Sequence, residues 1–136
     1  MNKLLIVALT AIVASACAAQ DGIKRSQGDR LLSQYEPYIG APVQSFTAFR
    51  QDSWQPISRT QLVLWTDHNH AYLLTVANNC PELKFANAVR VTSTTSSIST
   101  LDQVIVRGDR CPIDKIQPID VRQMRQDREK RQAARS

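Results

Sequence analysis

Three cysteines stand in this chain, and their arrangement constrains its folding more than any other feature. An odd cysteine in a secreted chain needs its own explanation. Cys17 has one, because it follows a segment that reads as a delivery signal. Cys80 and Cys111 remain. Neither has a second Cys or a His at the ligand spacing of a structural zinc site, and the chain has no C-x-x-C redox motif. In an oxidising compartment two such thiols pair. The expected Cys80–Cys111 bond closes a loop of about 32 residues, worth roughly 3–4 kcal/mol on the chain-entropy model.

The delivery signal is read from composition. Asn2 and Lys3 make a short basic start, and Leu4 to Val13 is an apolar run interrupted only by Thr10. Small residues follow from Ala14 to Ala19. The run is too short for a permanent bilayer span of ~20 residues, and the pattern predicts a signal peptide over residues 1–16. Ala14-Ser15-Ala16 before Cys17 resembles a bacterial lipobox, with Ala14 where that motif usually has Leu. On this reading Cys17 is lipidated, and Ala18 behind it favours sorting to the outer membrane. The alternative is ordinary cleavage near Ala18, Ala19 or Gln20, which discards Cys17. Residues 17–25 are expected to be a tether, and 26–120 a single domain.

The formal charge of +5 is unevenly placed. From Cys17 to Asp120 ten Lys/Arg balance ten Asp/Glu, whereas residues 121–136 hold Arg122, Arg125, Arg128, Lys130, Arg131 and Arg135 against Asp127 and Glu129. The basic character belongs to this tail, which argues against a nucleic-acid domain with a basic face. Such a tail could attract anionic headgroups or another envelope polymer, or simply solvate the chain. Only Val121, Met124 and Ala133 offer it an apolar face, so it reads as a solvated helix or a disordered segment.

Within the domain, Ser26 and Asp29 form an S-x-x-D pattern like a capping box, followed by Leu31, Leu32 and Tyr35 at helical spacing. A helix over Gln27–Tyr35 is predicted, ended by Pro37, Gly40 and Pro42. Val43–Arg50, Gln61–Thr66, Ala71–Val76, Val89–Thr92, Gln103–Arg107 and Ile113–Ile119 read as strands. Gln61–Thr66 and Ala71–Val76 are joined by the turn residues Asp67-His68-Asn69 into an antiparallel hairpin. Pro81 suits the first position of a short helix through Ala86. The fold class is α+β and mainly antiparallel β: a small curled sheet or barrel of five to six strands, with an N-terminal helix, one short helix and a disulfide staple.

Chemistry-bearing residues are few. His68 and His70, two apart beside Asp67, would face the same way in a strand and could share a metal; a polar hairpin turn is the simpler reading. Arg107-Gly108-Asp109 matches an adhesion tripeptide, but Gly108-Asp109 also serves a tight turn without any partner. The hydroxyl-rich run Thr92–Thr100 has no G-x-S-x-G elbow and reads as a polar edge strand or loop. Trp54, Trp65 and Tyr72 could wall an apolar ligand site. Trp65 and Tyr72 are expected in the core, leaving Trp54, in a loop beside Pro56, as the better contact surface. No catalytic residue and no cofactor are expected.

The order of residues carries a resemblance. Trp54-x-Pro56, Ala71 to Leu74, Asn79-Cys80-Pro81-Glu82-Leu83, Asp102-x-Val104, and Arg110-Cys111-Pro112-Ile113 with Ile116 and Pro118 resemble a family of small exported proteins of Gram-negative bacteria whose domain has no known function. The resemblance spans about Leu31 to Asp120 and leaves the tail outside. It implies export, fits a Cys80–Cys111 bond, and brings no activity or catalytic residue. The expectation is an exported cell-envelope accessory or binding protein, periplasm-facing and anchored through Cys17 where the lipobox reading holds. Its expected partners are envelope proteins or an anionic membrane surface. The alternative is a small periplasmic enzyme or metal-handling protein using His68 and His70.

Overall fold

The computed structural model describes residues 26–136. The signal segment, Cys17 and the tether lie outside the described residues. The order of elements is helix α1 (Gln27–Tyr35), a 3₁₀ turn (Glu36–Tyr38), strands β1 (Ser45–Thr47), β2 (Ser53–Pro56), β3 (Gln61–Trp65) and β4 (Ala71–Val76), and a second 3₁₀ turn (Pro81–Phe85). Strands β5 (Arg90–Val91), β6 (Ser97–Ser99), β7 (Gln103–Val106) and β8 (Asp109–Ile119) and helix α2 (Val121–Ala133) complete it.

Six strands form an antiparallel half-barrel in the order β2-β3-β4-β8-β7-β5, and β1 and β6 pair as a separate ribbon. The α+β, mainly antiparallel expectation is met. β3 and β4 form the predicted hairpin, with Leu62 opposite Leu74 and Val63 opposite Leu73. β8 adds Ile116 opposite Leu74. Successive strand residues point to opposite faces, so these registers sort the side chains into two cores. Leu62, Leu64, Leu74, Val104, Val106 and Ile116 lie on one face, covered by Phe46 and Ile98 of the ribbon and by Leu83. Val63, Ala71, Leu73 and Ile119 lie on the other, covered by Tyr35, Tyr38, Val121 and Met124.

Local chemistry explains the element ends. Ser26 caps α1: its hydroxyl accepts from Asp29 N–H at 3.2 Å, and the Asp29 carboxylate accepts from Ser26 N–H at 3.1 Å. The link between β7 and β8 is Arg107-Gly108, with φ of 50° and 90°, the left-handed pair that a two-residue hairpin turn requires. The turn thus falls one residue earlier than Gly108-Asp109, and Asp109 starts β8. Arg107 also pairs with Glu82 at 3.1 Å.

Two sequence expectations shift. Val43–Arg50 is strand only at β1, because Val43 instead bridges to Ile116. β8 begins at Asp109 and continues through Pro112 and Pro118, where a strand is expected to be interrupted. Their carbonyls accept from Ala77 and Gly40 at 2.8 Å, so both prolines still serve neighbouring chain. Residues 121–133 are a helix, one of the two readings the sequence leaves open for the tail. Val121 and Met124 are buried while Ala133 is exposed.

Candidate functional site

At one end of the half-barrel, where the β3–β4 turn faces β1, an open groove of about 570 Å³ runs across the surface. Its floor is Tyr72, half-buried on β4, and Phe46 from β1 stacks on that ring with centroids 3.8 Å apart and planes 16° apart. Phe49 lines the same groove and is 89% exposed. Asp67 and His70 line the groove as well. Sequence reasoning missed Phe46 and Phe49, since Phe46 meets Tyr72 through a long-range contact that no local pattern reveals. The one available signal was the pair of phenylalanines itself, set in a largely polar stretch; both line the groove, Phe49 from a bend past the end of β1.

The β3–β4 turn is built by Asp67. Its Oδ1 accepts from the N–H groups of Asn69 at 2.7 Å and His70 at 3.0 Å, a side-chain mimic of a backbone turn. Its Oδ2 lies 2.8 Å from Nδ1 of His70. The Asn69 N–H, then the His70 side chain, hold the Asp67 carboxyl below the usual carboxylate range. A carboxyl with a depressed pKa favours the folded turn at neutral pH, and that contribution is lost as pH falls through its titration. With Nδ1 committed to Asp67, Nε2 of His70 is left for a ligand.

Burial, and secondarily the Asp67 charge, push the Tyr72 phenol above its ordinary value. Replacing Asp67 by asparagine keeps the turn's acceptor oxygen and removes the charge. The Tyr72 titration is expected to fall partway toward an ordinary phenol. It is read from phenolate absorbance against pH as the difference between proteins with and without Tyr72→Phe. An unchanged titration would disconnect Asp67 from the groove floor.

The remaining sequence candidates fall elsewhere. Trp54 lies in β2, not a loop, opposite Leu64 and half-buried against the first core. It shares a sheet face with Tyr72. Trp65 is on the opposite face against the second core, so the three aromatics form no single wall. His68 and His70 sit in a turn rather than a strand, and His70 lines the groove while His68 does not. Among the described residues no group of three His, Cys, Asp or Glu side chains is placed to hold a metal. Arg125 of α2 donates to the His68 carbonyl at 2.6 Å and to Asn69 Oδ1 at 3.3 Å, seating a guanidinium on the turn. That positive charge opposes a divalent cation there. Arg122, Arg128, Lys130 and Arg131 are exposed.

Cys80 and Cys111 are joined, with Cα atoms 6.1 Å apart. The hydroxyl-rich run forms β6 and local turns: Ser93 donates to the carbonyls of Thr95 and Ser97, and Asp102 accepts from the Ser99 hydroxyl at 3.1 Å. No helix among the described residues is long and apolar enough to cross a membrane.

What the groove offers chemically is an aromatic floor with hydroxyl, imidazole and carboxylate groups at its edge, and no Lys or Arg in its lining. This suits a weakly polar contact better than an anionic ligand. A family model described as "Family of unknown function (DUF6491)" matches residues 1–135. The match includes α2, so the tail belongs to the family's common chain rather than lying outside it. No curated protein and no solved structure matches the chain.

Proposed function

The chain belongs to the DUF6491 family, which brings no activity with it, and from that premise we propose that it is an exported cell-envelope accessory protein acting as a binding module. The carrying observation is the Cys80–Cys111 bridge, whose cysteines are 1% and 6% exposed within the first core. A buried structural disulfide belongs to oxidising compartments and is rare where thiols are kept reduced. The apolar run before Cys17 supplies the route: residues 1–16 are removed, and Cys17 becomes the acylated first residue. The groove with its exposed Phe49 is the face offered to another envelope component. Contact with a partner fits this face, which presents the exposed Phe49 beside the stacked Phe46 and Tyr72 rings.

Intact mass of the native protein tests the whole reading. The expected mass lacks residues 1–16, carries acyl chains, and is two hydrogens short. Cleavage near Ala18–Gln20 without acyl chains would keep export and remove the anchor. Retained Met1 with both later cysteines free would overturn the proposal.

A further inference from the structure

Helix α2 is docked at its start and exposed toward its end. Val121 and Met124 are buried against the second core, and Tyr38 donates to Asp127 at 3.0 Å. Beyond Asp127 every residue is exposed. This half carries Arg128, Lys130 and Arg131 against Glu129 alone, and Arg135 follows just past the helix end. Among the described residues the ion pairs are Asp67–His70 and Arg107–Glu82, so no cation of α2 is neutralised by a carboxylate. The chain from Cys17 to Asp120 is charge-balanced. The molecule is therefore electrically lopsided, with its positive end on one helix.

We propose that the exposed half of α2 is a docking surface for an anionic lipid bilayer, held by charge alone. Both apolar residues near its start face inward, so the helix has no stripe to insert among acyl chains, and its contact is electrostatic. Location favours a membrane over a free polyanion. α1 and α2 pack in one layer, through Leu31, Leu32 and Tyr35 from the first and Val121 and Met124 from the second. α1 follows directly on the stretch 17–25, which chain geometry limits to about 30 Å. An acyl group on Cys17 and the cations of α2 can thus reach the same leaflet. The acyl group would hold the protein to the membrane, and the basic patch would add an electrostatic attachment that turns α2 toward the leaflet. This inference rests on the envelope reading above, but it fails separately, because lipid preference does not depend on where the cell places the protein.

The test measures partition of the purified mature protein onto vesicles of phosphatidylcholine, with and without phosphatidylglycerol. Partition is read at lipid concentrations where neither composition binds the protein fully, so that an acyl contribution common to both cancels in the ratio. Each cation near an anionic surface is worth about fivefold. Arg128→Gln/Lys130→Gln/Arg131→Gln together should lower the ratio on the order of a hundredfold, and added salt should erase it in the parent. A matched variant, Arg90→Gln/Arg110→Gln/Lys115→Gln, removes the same charge from exposed positions on the strands and should leave most of the ratio intact. Thermal melting of both variants checks folding. A parent ratio near one, equal losses in the two variants, or a salt-resistant ratio would overturn the proposal. So would tight binding to soluble heparin without any preference for anionic vesicles.

Discussion

Truncating Leu74 to alanine is expected to cost about 3–4 kcal/mol of unfolding free energy, within the range found for buried leucines. The register explains the size. Leu74 lies on β4 with Leu62 of β3 on one side and Ile116 of β8 on the other, and all three are fully buried. β4 is an interior strand, so its backbone is held by ladders on both edges and cannot sag into the void. A domain of this size has roughly 5–15 kcal/mol in total, so the variant loses a large share of it. Urea unfolding should show a lower midpoint with an unchanged slope. Leu101→Ala is the control: Leu101 is 94% exposed, and its loss should stay within about 0.5 kcal/mol. A Leu74→Ala cost below about 1 kcal/mol would mean that these three strands do not share a tightly packed core.

The same register shows what was readable in the chain and what was not. Leu62 to Leu64 and Leu73-Leu74 are apolar on both faces, and the structure buries both faces of β3 and β4 under separate covers. The S-x-x-D cap, the β3–β4 hairpin and the short helix after Cys80 depend on neighbours a few residues apart, so each could be placed from local pattern. β8 reads as strand from Ile113 to Ile119, Pro118 included, but its start escapes the sequence because Gly108-Asp109 reads as a turn and Pro112 as a strand breaker, whose carbonyl nonetheless accepts from Ala77. The groove resisted for a different reason. Phe46 meets Tyr72 only because the chain from Ile39 to Val43 runs beside β8, bridging to Ile119 and Ile116, before it enters the ribbon, a non-local pairing with no sequence period. Trp54 was misplaced because Ser53 and Pro56 suggest a loop, whereas a short edge strand tolerates both. α2 carries few apolar residues, yet Val121 and Met124 come at its docked end, where three-residue spacing puts them together.

Removing the disulfide as Cys80→Ala/Cys111→Ala is expected to destabilise by about 3–4 kcal/mol, comparable to the core truncation but by another route. The bond spans 31 positions, and the loop it closes contains β5, β6 and β7. Without it the unfolded chain regains the freedom of that whole loop, whereas the folded sheet keeps its ladders. Alanine at both positions avoids leaving lone thiols in the core. The melting temperature should fall on the order of 15 °C. The loss should also be uneven. β5 is a two-residue edge strand held only by β7, so amides of β5 and β7 should exchange faster, while those of β3 and β4 keep their protection relative to the new global stability. Reductant at native conditions should act slowly on the parent, because both cysteines are buried and a thiolate must wait for local opening. A variant that melts with the parent would mean that the parent's cysteines are not joined or that the entropic gain is offset in the folded sheet. Intact mass of the parent separates the two, and free thiols there would remove the argument for an oxidising compartment.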